Sequence, residues 1–65
     1  MPSPDELTTA AEKKRQLAAQ LRRSAPGMSL PEDRRILLEE AAQLEREAGR
    51  LDAEARRLSE EQGNR

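Results

Sequence analysis

The stretch from Glu32 to Gln62, EDRRILLEEAAQLEREAGRLDAEARRLSEEQ, places Leu37, Leu44, Leu51 and Leu58 at every seventh position, with Ala41, Ala48 and Ala55 between them. Alternate steps of four and three keep these side chains on one stripe of an α-helix. Strict repetition of that stripe asks for a partner helix that follows the seam. The expected element is one long coiled-coil helix over about residues 31–62.

Working outward from it, Ser3, Pro4, Asp5 and Glu6 read as an earlier helix start: a serine cap, proline at the first helical position, and glutamate placed to return a bond to the cap N–H. The helix that follows, about residues 4–24, carries a broad apolar stripe of Leu7, Ala10, Ala11, Leu17, Ala18 and Leu21, interrupted once by Lys14. Arg22 and Arg23 suit its last turn, where the helix dipole favours positive charge. Pro26 and Gly27 cannot comfortably continue it, so residues 25–30 form a turn. A second capping box at Ser29–Glu32 opens the long helix, with Pro31 one place later than its best-tolerated position. Gly63 and Asn64 are expected to close that helix. The reading is a single all-α domain over residues 1–65, an antiparallel helical hairpin. Ala-Ala-Gln-Leu occurs at both 18–21 and 41–44, and this reflects the restricted alphabet of such helices rather than a duplication.

Composition bounds the chemistry. The 65 residues include no cysteine and no histidine, which removes disulfides, thiolate and imidazole metal sites, cysteine nucleophiles and the usual general base. Paired carboxylates such as Glu39 with Glu40 or Glu60 with Glu61 lack the histidines that di-metal bundles use. No nucleophile–base constellation, phosphate loop or dinucleotide fingerprint occurs, so no cofactor, metal or catalytic activity is expected. Aromatic residues are absent too, and with them base-stacking platforms and common binding anchors. With 38% charged residues and a net charge of −1, nothing draws the chain as a whole to nucleic acid or anionic membrane. The acids near the N-terminus and the lack of a long apolar run argue against a secretory signal or a membrane span, and the default location is cytoplasmic.

A chain this short buries little surface unless self-association helps. With a short turn, Leu21 is expected near Leu37 and Leu7 near Ala48 to Leu51, leaving Ala55 and Leu58 beyond the reach of the first helix. A homodimeric four-helix bundle would cover that end, through Leu7, Leu17, Leu21, Leu37, Ala41, Leu44, Ala48, Leu51, Ala55 and Leu58. Charge favours pairing of unlike helices: residues 5–25 hold five basic and three acidic side chains, hence +2, whereas residues 32–62 hold six and ten, hence −4. Glu40, Glu47, Glu54 and Glu61 line one flank of the long helix's stripe and Glu45 and Asp52 the other. Two copies of that helix side by side would repel. Lys14 either snorkels to an acidic flank such as Glu47 or sets the register of the bundle. Gly49 is either a neutral exposed position or a point of close backbone approach.

The run Ala11, Arg15, Leu17, Ala18 followed by Asp33, Arg35, Leu37, Leu38, Ala41 and Glu45 resembles short uncharacterised bacterial helical-hairpin proteins, and it implies an architecture. The layout is also similar to the Rop-type dimeric four-helix bundle, whose members bind paired RNA loops, and in shape to the small co-chaperones of type III secretion needle proteins. The expected function is therefore a non-enzymatic protein–protein interaction module. The alternatives are an RNA-binding dimer using Lys13, Arg15, Arg22 and Arg23, or an antitoxin-like or co-chaperone-like hairpin that sheathes a partner's helix.

Overall fold

The computed structural model describes residues 2–63. Two helices account for nearly all of them: α1, Pro4–Ser24, and α2, Pro31–Gly63, joined by a single 3₁₀ turn at Ala25–Gly27 and the three residues that follow it. The all-α expectation stands and both helices start where the sequence places them. Asn64, expected to help close α2, lies outside the described residues.

The first cap forms in part as the sequence predicts. Ser3 is extended, its Oγ accepts the Glu6 N–H at 3.3 Å, and its carbonyl accepts the Leu7 N–H at 3.1 Å. Among the described residues no return bond from the Glu6 carboxylate to the Ser3 N–H is made. The second cap is displaced by one residue. The Leu30 carbonyl accepts the Arg34 N–H at 3.1 Å, which makes Leu30 the cap and Pro31 the first helical residue. Proline explains the shift: it biases the preceding residue toward extended backbone, the conformation of a cap, and its fixed φ suits the first helical position. Ser29 therefore stands one place too early, and Leu30, a residue with no capping oxygen, is left 60% exposed.

The helices lie along one another in opposite directions. Arg22 reaches Glu45, Lys14 reaches Glu47 and Arg15 reaches Asp52. Pro4, Asp5 and Thr8 share a depression with Asp52, Ala55, Arg56 and Ser59. These pairings overturn the expected register. Leu21 shares a groove with Glu40 and Leu44, further along α2 than Leu37, and the start of α1 extends as far as Ser59. Ala55, expected to overhang, is only 6% exposed, and Leu58 is half-buried like the other heptad leucines. The cause is the connection. The 3₁₀ turn and Met28–Leu30 carry the chain past the end of α1 before α2 begins, so the extra length of α2 falls at the turn. That is where Leu30, Ile36 and Leu38 stand exposed.

The core is a line of alanines. Ala11, Ala18 and Ala25 on one side meet Ala41, Ala48 and Ala55 on the other, all but fully buried, and among the described residues Leu7 is the one leucine that joins them. Each helix has a single neighbour, so only residues at the closest approach are covered on all sides. Small side chains fit there, and longer ones are displaced to the edges. Leu21, Leu37, Leu44, Leu51 and Leu58 are half-buried, and Leu17 is 46% exposed.

Candidate self-association surface

The seam between α1 and α2 has two edges of different chemistry. Along one, Arg22 grips Glu45 with two nitrogens, its Nε donating to Oε2 at 3.1 Å, and the Arg15 guanidinium donates to Asp52. The hydrogen bonds from Arg22 hold the Glu45 carboxyl below its ordinary range, and the same contact raises Arg22. The positions follow from helical periodicity: Arg15 and Arg22 are seven apart on α1, Glu45 and Asp52 seven apart on α2, so both pairs recur on the same side of the seam.

Along the other edge, Leu17 and Leu21 of α1 and Leu44 of α2 line a shallow groove of about 420 Å³ with Glu40, Gln43 and Glu47. Leu37, Leu51 and Leu58 extend the Leu44 row at seven-residue steps, and Glu54 extends the row of Glu40 and Glu47. The polar contacts of this groove centre on Glu47. Lys14 Nζ donates to its Oε1 at 2.9 Å and Gln43 Nε2 to its Oε2 at 3.4 Å. The Lys14 bond, then the Gln43 bond, lowers the Glu47 pKa. Lys14 thus does what the snorkelling reading expects: its stem runs through the apolar stripe and its amine ends on an acidic flank. Glu54 is engaged within its own helix, accepting from Arg57 at 2.6 Å, which raises Arg57.

The residues expected to mediate self-association therefore divide. Leu7, Ala41, Ala48 and Ala55 are taken up by the chain's own seam, because each lies at the closest approach of α1 and α2. Leu17, Leu21, Leu37, Leu44, Leu51 and Leu58 keep accessible surface, and the groove brings three of them together. The residues considered for RNA divide as well. Lys13 and Arg23 are exposed, whereas Arg15 and Arg22 are committed to Asp52 and Glu45. Sequence reading missed the seven-residue spacing of Ala11, Ala18 and Ala25, which mirrors that of Ala41, Ala48 and Ala55 and marks both halves of the seam. It also missed the exposed trio Leu30, Ile36 and Leu38.

Among the described residues no group of three or more acidic side chains is placed to hold a metal ion, and no helix is long and apolar enough to cross a membrane. Comparison with protein-family models, with curated proteins and with solved structures finds no match to this chain.

Proposed function

We propose that this chain is a small helical interaction module with no catalytic chemistry of its own, an antiparallel hairpin that self-associates through its leucine edge into a four-helix bundle. The observation that carries the reading is the division of labour across the seam: alanines fill the intramolecular contact, and a row of leucines is left half-exposed along one side. A row of that length on one edge is what a second amphipathic surface covers. The accessible surface points the same way. It is 5039 Å², against about 4,200 Å² for a compact monomer of this size. The reading no longer needs an overhang at Ala55, since that residue is already covered. The RNA alternative loses weight because two of its four basic residues are spent on intramolecular pairs.

Sedimentation equilibrium across the micromolar range tests the proposal. The expected result is a reversible dimer, with Leu17→Glu shifting the dissociation midpoint at least about tenfold while leaving the helical circular dichroism signal unchanged. A folded monomer at all concentrations overturns it.

A further inference from the structure

Resting on the self-association proposed above, we infer that the two protomers pack with their turns at the same end, α1 of each lying beside α2 of the other. Two leucine edges can be apposed by a two-fold axis in two ways. An axis running along the helices keeps both turns at one end and sets unlike helices side by side. An axis crossing the helices puts the turns at opposite ends and sets α2 against α2 and α1 against α1.

The charges along the groove decide between them. On α2 the leucine edge carries the acidic row Glu40, Glu47 and Glu54, the first two lining the groove itself. Opposite-end packing would lay this row against its own copy. On α1 no acidic residue occurs from Lys13 to Ser24. Leu17 and Leu21 share their groove with Glu40 and Glu47, so this acid-free segment spans the same level of the molecule. Same-end packing brings each protomer's acidic row onto the other's acid-free segment, where Lys13 is exposed. An opposing contribution comes from the turn ends, which hold Arg34 and Arg35, but Glu32 and Asp33 stand in the same first turn of α2 and Arg35 lies 3.9 Å from Glu39. The facing flanks meet at contact range, so the flank charges prevail.

The absence of cysteine allows a direct test. Gly27, in the turn, and Gly63, at the other end of α2, each have open space where a Cβ would stand and neither has a positive φ. Gly27→Cys and Gly63→Cys can therefore each carry a single nitroxide without disturbing the seam. Pulsed dipolar spectroscopy on the full-length dimer is expected to give a label-to-label distance below about 30 Å at both sites, set by helix spacings of about 8–10 Å plus the label linkers. A distance at Gly63 approaching the 55 Å length of the molecule overturns the arrangement and leaves the dimer intact. No intermolecular distance at either site, together with a monomer mass by sedimentation, overturns self-association itself.

Discussion

The two edges of one helix pair use the same heptad spacing for different ends. On the edge of Arg15–Asp52 and Arg22–Glu45, long charged side chains bridge the seam and close it to neighbours. On the edge of Leu17, Leu21 and Leu44, the one bridge among the described residues is Lys14–Glu47, and apolar surface remains between the helices. Exposed ion pairs contribute little to stability but fix which helix meets which and in what register. Half-covered leucines do the reverse. Each holds back part of the roughly 1.5–3 kcal/mol that full burial of such a side chain supplies, and none of that remainder is released until another surface arrives. One edge specifies the pair and the other leaves apolar surface exposed.

The largest effect expected is at the seam both edges share. Ala48 is fully buried at the closest approach of the helices. Ala48→Leu should hold them apart and loosen the contacts at Ala11, Ala18, Ala41 and Ala55 as well, lowering stability by about 1–3 kcal/mol. Thermal melting followed by circular dichroism checks it. A variant that melts higher than the parent would mean the alanine line is loosely packed and the comparison of edges has no common base.

Next in size is Leu44→Ala, which shortens a half-buried leucine of the open edge. In a dilute sample the loss should be about 1 kcal/mol, in proportion to the surface covered within the chain. At concentrations where the dimer forms it should rise to about 2 kcal/mol or more, because the same side chain is then buried from both sides. Melts over a hundredfold range of concentration separate these cases. A loss that does not change with concentration would show that the leucine edge has no partner.

How much of this was legible beforehand follows from what each feature depends on. Helix boundaries rest on local signals, and Ser3 with Pro4, Pro26 with Gly27, and Pro31 were sufficient for them. The Lys14–Glu47 pair was legible because it needs only a stem long enough to leave the stripe. Register was not, because it depends on how far the chain climbs between Ala25 and Leu30, and no periodicity records that. The same gap misplaced the exposed end, predicted at Ala55 and Leu58 and found at Leu30, Ile36 and Leu38. The division of alanines from leucines was visible as a spacing in both helices, but its meaning required knowing that each helix has one neighbour. In a larger bundle the leucines at 37, 44, 51 and 58 would be core and the seam alanines one layer among several.

Gly49 provides a reference that belongs to neither edge. It is exposed, and a Cβ added there would meet nothing within 4 Å, so no other backbone segment of this chain approaches it closely. Gly49→Ala should stabilise the helix by up to about 1 kcal/mol, equally at low and high concentration. A gain that grows with concentration would place this face in an interface as well.

The smallest effect distinguishes the edges by titration. Glu45 on the closed edge and Glu47 on the open edge both have pKa values held below the ordinary 4.5, through hydrogen bonds from Arg22 and from Lys14 respectively. A carboxyl that binds its proton less readily folded than unfolded contributes stability that is complete above the unfolded value and lost as pH falls through the folded one. Melting temperature should therefore be flat from pH 7 to about pH 5 and decline below the ordinary carboxyl value. Glu45→Gln should flatten that decline without changing dimer dissociation, because its partner Arg22 lies on the edge turned away from the second copy. Glu47→Gln should flatten it too, and should also shift dissociation, because Glu47 lines the groove. Equal shifts in dissociation from both substitutions would mean that the two edges are not functionally distinct.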